Sequence, residues 1–156
     1  MLFVVAQLGS RGHVDPKEPR NAAPFKWLNE TLEKGQNKDY RVLIYHINRM
    51  DVMAPLVEKY NVSLAIHGHA HSYTRYSLNQ HTYVCLGNGA TIQSDTIKAE
   101  PSIQRKTNGA AFTKLTFSPK GIRLETFTPT MDVMDTVFLR RKSNNTPLIP
   151  EEAMTP

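Results

Sequence analysis

With 156 residues, 40% of them apolar and 21% charged, the chain suits one globular domain with a real core rather than a disordered tract. The net charge of +5 mildly favours anionic ligands, and Lys and Arg are scattered apart from Arg140-Arg141-Lys142, so no nucleic-acid surface is indicated. A single cysteine rules out an intrachain disulfide, and no run of about 18 apolar residues offers a membrane span.

Residues 2–8 read as a buried strand, apolar and β-branched. The segment is short and lacks a basic flank, so it makes a poor signal peptide. Localisation stays open, with a secreted or periplasmic home following only from a signal further upstream. Residues 9–23 read as a loop. Residues 24–33 read as a helix, with Pro24 in its first turn and Phe25, Leu28 and Leu32 as the apolar stripe. Trp27 is expected to pack that helix onto a sheet, and Gly35 to close it. Residues 40–45 form the next strand. Asp51 is placed to cap a helix reaching about residue 60, with Pro55 near its start. Residues 63–66 form a third strand, and this alternation predicts parallel pairing through right-handed crossovers.

The pattern then changes. Residues 72–78, 82–86, 110–117, 122–128 and 136–139 read as strands of an antiparallel sheet, with Pro119-Lys120-Gly121 a turn between two of them. Cys85 falls in the second of these as a buried strand residue. Residues 90–108 read as a polar loop without periodicity. Residues 143–156 read as a proline-rich tail, leaving 1–142 as the domain.

Half of the six histidines lie within Ile66-His67-Gly68-His69-Ala70-His71, directly behind an apolar strand. In an extended backbone His69 and His71 would share a face. Just past a strand end they are placed to reach one metal ion or a pair, and imidazole is a common ligand for transition metals. His46 follows the neighbouring strand, and in open α/β sheets ligands bind beyond the carboxyl ends of the strands. His46, His69 and His71 are therefore the candidate metal ligands. His13 and His81 read as solvated. Asp132 and Asp135 read as members of a hairpin turn, and Asn88 and Gly89 as a turn near the site.

The pattern Gly68-His69-x-His71-x-Tyr73-x-Arg75 resembles the last metal motif of the calcineurin-like metallophosphoesterases, most of all the purple acid phosphatase branch. Arg41-Val42-Leu43-Ile44-Tyr45-His46 resembles the family's preceding ligand strand. Phe25-Lys26-Trp27-Leu28 resembles its Trp-Leu helix, and Tyr83-Val84-Cys85-Leu86-Gly87-Asn88-Gly89 the strand and glycine turn after the motif. The likeness implies a mixed α/β fold, half of a β-sandwich flanked by helices, with parallel strands first and antiparallel strands after.

It further implies a metal-dependent phosphoesterase acting on phosphate esters through two divalent or trivalent ions (zinc, iron or manganese). On that resemblance His46 and His69 serve one metal and His71 the other. His67, Tyr73 and Arg75 take supporting or substrate-edge places, a salt bridge being the competing reading for Arg75. The family's early ligands, Asp-x-His, Gly-Asp and Gly-Asn-His, have no match here. Arg11-Gly12-His13-Val14-Asp15 has the wrong order. The sequence thus resembles the C-terminal half of such an enzyme, to be completed by an N-terminal half or a partner chain. The alternative is a non-catalytic module serving interaction or assembly.

Overall fold

The computed structural model describes residues 1–6, 19–47, 49–87, 89, 103–107, 109–140 and 150–152. Two sheets form its frame. The first has six strands in the order β1-β2-β3-β5-β4-β6, and the second has four in the order β10-β9-β8-β7. In the first sheet β1 (Leu2–Ala6), β2 (Arg41–Tyr45), β3 (Leu64–His67) and β5 (His81–Leu86) run parallel. Then β4 (Tyr73–Leu78) pairs antiparallel with β5 and with β6 (Ile103–Thr107). The second sheet is the antiparallel meander β7 (Phe112–Ser118), β8 (Gly121–Phe127) and β9 (Val133–Arg140), with β10 (Pro150–Glu152) on its edge. Parallel strands first and antiparallel strands after match the expected mixed α/β class.

Alternation along the parallel strands divides the core in two. One face packs on the helices α1 (Pro19–Lys34) and α2 (Met50–Lys59) and contains Val4, Ala6, Leu43, Ala65 and Tyr83 with Leu28, Leu32 and Val57. The other face packs Val42, Leu64, Ile66, Tyr73 and Val84 on Ile122, Leu124, Val137 and Leu139 of the second sheet. As expected, β2 and β3 are parallel neighbours joined by α2, with Tyr45 opposite His67.

Several local expectations are corrected. The first helix starts at Pro19, not Pro24, and both Pro24 and Pro55 lie inside helices. Each sits in the second turn, where a proline forgoes one early intrahelical bond. Arg49, with no side-chain cap, precedes α2, and Asp51 instead accepts from Arg49 Nε at 2.8 Å. Trp27 is 49% exposed, because the face turned to the sheet is the i, i+4 pair Leu28 and Leu32. Residues 103–107, read as polar loop, form β6, because pairing with β4 outweighs their polar composition. Residues 150–152, read as tail, pair with β9. His81 is buried in β5, with Nδ1 3.1 Å from the Val62 carbonyl oxygen, so it is not a solvated residue. Asp135 is a β9 residue rather than part of a turn. His13, Asp15 and Asn88 lie outside the described residues.

Candidate metal centre

β2 and β3 end side by side, and the chain leaving each carries a histidine. The amide of Gly68 donates to the carbonyl oxygen of His46 at 3.0 Å, extending the parallel ladder one step past the strands. A Cβ on residue 68 would meet His46 Nδ1 at 3.4 Å, the lower limit of ordinary contact, so glycine leaves the imidazole clear room. His69 then follows with φ 71, a left-handed conformation uncommon outside glycine.

The hydrogen bonds of the turn explain that angle. Ala70 N donates to Gly68 O at 2.9 Å, and Ser72 N donates to Ala70 O at 2.8 Å. His69 and His71 are thus the central residues of two successive three-residue γ-turns. The first has the rare positive-φ form, which carries strain. Cys85 Sγ lies under this turn, 3.4 Å from Ala70 O and 3.7 Å from Gly68 O. Gly87 N donates to Ser72 O at 3.3 Å. A Cβ on Gly87 would strike Ala70 O at 1.8 Å, so the strand after the motif needs glycine to pass this close.

Two of the three candidate ligands are in ring contact. The His46 and His69 rings meet edge to face, with centroids 5.3 Å apart and planes at 84°. Both residues are exposed, whereas His71 is partly buried with its Nδ1 atom enclosed. The two γ-turns replace the extended backbone that would have put His69 and His71 on one face. Among the described residues no group of three or more His, Cys, Asp or Glu side chains is arranged to hold a metal ion. The described side chains therefore do not fit a two-metal centre on their own. They offer two converging imidazoles, with no third His, Cys, Asp or Glu of the described residues grouped beside them to hold a metal ion.

The remaining motif residues turn inward. His67 is 5% exposed, with Nε2 3.0 Å from the Tyr76 hydroxyl and its ring 5.7 Å from that of Tyr45. Burial lowers its pKa to about 4, only partly offset by the Gly68 carbonyl near Nδ1, so its imidazole stays neutral. Tyr73 and Arg75 both reach Asp135 on β9 of the second sheet. The Tyr73 hydroxyl donates to Oδ2 at 2.6 Å. Arg75 donates from Nε to Oδ2 at 2.7 Å and from a terminal nitrogen to Oδ1 at 3.2 Å. Burial and the Asp135 bond raise the Tyr73 pKa. Burial opposes the Arg75 charge, but Asp135 and Tyr73 more than compensate, and its pKa is raised. Of the two readings of Arg75, the salt bridge is the one present, and it is buried rather than superficial.

Asp135 and Cys85 make contacts that the sequence reading does not assign to them. For Asp135 a signal existed, since Asp135, Val137 and Leu139 follow the period-two rule that turns a residue inward. For Cys85 there was none, because its contact is with a turn 15 residues earlier.

No protein-family model matches the sequence, and no curated protein matches it. Solved structures do. The structure of GAP50, the anchor in the inner membrane complex of Plasmodium, superposes with a TM-score of 0.79 at 16% identity, over 90% of this chain and 49% of that one. Purple acid phosphatase PPD1 from yellow lupin (Lupinus luteus) seeds superposes with a TM-score of 0.73 at 16% identity, over 99% of this chain and 34% of that one. The chain has a metallophosphoesterase-like fold and spans about half the length of the first structure and a third of the second.

Proposed function

We propose that the chain is the histidine-bearing part of a metal-dependent phosphoesterase, acting on phosphate esters at a site whose anionic ligands come from outside the described residues. The observation that carries this reading is the edge-to-face meeting of His46 and His69 beyond adjacent parallel strands. That is where open α/β sheets place their ligands. Strain at His69 supports it, since a residue held at positive φ indicates a position fixed by more than local preference. His46 and His69 supply imidazole donors. Tyr73 and Arg75, held by Asp135, fix the strand that leaves the turn. The phosphate and the missing negative charge must be met by other groups.

Titration of cobalt(II) into the chain, followed by absorption, tests the reading. Weak binding is expected, lost in His46→Ala and in His69→Ala. Binding that survives both substitutions overturns it. A second reading, an interaction or assembly module without catalysis, draws on the lack of a three-ligand group among the described residues. Phosphatase activity of the native assembly that disappears with His69→Ala favours the first reading over the second.

A further inference from the structure

A positive φ persists at a residue other than glycine only where its surroundings over-determine it. At His69 the Gly68 carbonyl oxygen closes the first γ-turn by accepting from Ala70 N at 2.9 Å. A carbonyl oxygen has two lone pairs. The second is met by the ring of His67, whose Nδ1 lies 3.4 Å away. On the other side of that ring, Nε2 is 3.0 Å from the Tyr76 hydroxyl. Aromatic neighbours fix the ring in this pose, Tyr45 stacking on it at 5.7 Å and Tyr76 meeting it at 5.9 Å.

Tyr76 decides which nitrogen of His67 carries the proton. Its O–H has two acceptors in reach, His67 Nε2 and, at 3.4 Å, Met50 Sδ. A thioether sulfur is a weak acceptor, so the hydroxyl proton goes to Nε2. The ring then has its single N–H on Nδ1, aimed at the Gly68 carbonyl. The opposite tautomer would set a bare Nδ1 against a carbonyl oxygen, acceptor against acceptor, at a residue only 5% exposed. Met50 lies shortly after His46 and His67 shortly before His69, so one hydroxyl stands between the segments that carry the two histidines. Tyr76 is itself held by a near-parallel stack on Tyr83, opposite it on β5, with centroids 5.2 Å apart and planes at 7°.

We infer that Tyr76 is a positioning residue for His69, holding His67 in the Nδ1–H form so that this N–H fixes the Gly68 carbonyl on which the strained turn closes. The bond from Nδ1 is long, so it orients the carbonyl more than it strengthens the fold. The second γ-turn has a matching device, because Cys85 Sγ lies 3.4 Å from its acceptor, Ala70 O. Each turn thus closes on a carbonyl that also meets a side-chain donor from the helix-facing side of the sheet. What the turn presents to a metal rests on the proposed function, whereas the relay from Tyr76 to Gly68 does not.

Tyr83 supplies the control. Its hydroxyl is buried in the same stack and has no hydrogen-bond partner among the described residues. Tyr76→Phe and Tyr83→Phe each remove one hydroxyl and keep the ring, and His67→Phe removes the donor itself. Proton–nitrogen correlation spectra read the His67 tautomer, amide hydrogen exchange reads the Ala70 N–H, and cobalt(II) absorption reads the histidine pair. Wild-type His67 is expected in the Nδ1–H form. In Tyr76→Phe the tautomers should mix, Ala70 exchange should quicken about fivefold, the worth of one ordinary hydrogen bond, and cobalt binding should weaken by a similar factor. His67→Phe should quicken Ala70 exchange as much, and Tyr83→Phe should match wild type in all three measurements. A wild-type His67 protonated on Nε2 overturns the inference without any variant. Unchanged Ala70 exchange in Tyr76→Phe or His67→Phe, or equal changes in Tyr76→Phe and Tyr83→Phe, also overturns it. Quickened Ala70 exchange in a chain that binds no cobalt upholds the relay and overturns the proposed metal site instead.

Discussion

Arg75 and Asp135 face each other across the space between the two sheets, with Nε 2.7 Å from Oδ2 and their side chains 6% and 9% exposed. Asp135 also accepts the Tyr73 hydroxyl, so one carboxylate holds the first and third residues of β4. That strand begins directly after the histidine turn.

Removing Asp135 alone strands a buried guanidinium. Asp135→Ala should cost about 3–5 kcal/mol in urea unfolding. The double variant Arg75→Met/Asp135→Ala should recover most of the loss, because it removes both charges. A single-variant cost below about 1 kcal/mol, the value of an exposed pair, would mean that the clasp is not buried in solution.

His81 makes stability depend on pH. Its burial disfavours the charged form, while its bond to the Val62 carbonyl and the Glu58 charge oppose that only in part, so its pKa lies below the ordinary histidine value. As pH falls through the histidine range the unfolded chain takes up a proton that the folded chain does not. Stability is therefore complete above the unfolded pKa and declines on acidification. Melting temperature measured between about pH 7.5 and about pH 5 should fall, and His81→Asn should flatten the fall. An identical slope in the variant would remove His81 from the account.

Gly87 should be intolerant of a side chain and Gly89 indifferent to one. A Cβ at 87 meets the Ala70 oxygen at 1.8 Å, whereas one at 89 meets nothing within 4 Å. Gly87→Ala should cost about 1–3 kcal/mol and weaken cobalt binding by displacing the turn that holds His69. Gly89→Ala should stay within about 0.5 kcal/mol of wild type. Equal behaviour of the two in thermal melts would contradict the close approach.

The 156-residue chain on its own should hydrolyse an aryl phosphate poorly or not at all. Imidazoles offer no negative charge to balance a dication, and among the described residues no group of three or more His, Cys, Asp or Glu is arranged to hold a metal ion. Turnover is measured with added zinc or manganese, beside His69→Ala. Metal-dependent turnover that the substitution abolishes would mean that the chain finds its remaining ligands internally or by self-association.

What was legible in the sequence was whatever local pattern controls. The parallel order of β2 and β3, the helix between them and the change to antiparallel strands followed from periodicity and turn residues. The approach of His46 to His69 followed from the strand ends. The positive φ at His69 did not, because it depends on two γ-turns whose hydrogen bonds leave no compositional trace. β6 was missed because its polar residues gain their structure from β4, and Asp135 because its partners lie 60 and 62 residues away. His81 reads as a surface residue in the sequence because nothing nearby in the chain announces that Val62 awaits it.

That long separation between Arg75 and Asp135 bears on the order of assembly. The meander from β7 to β9 is built of near-neighbour pairings and can form early. The clasp requires closure of a 60-residue loop and the docking of two finished sheets, so it belongs on the native side of the folding barrier. Interactions formed that late leave the folding rate nearly unchanged and slow unfolding instead. The ion pair thus governs how long the folded chain survives more than how fast it arises.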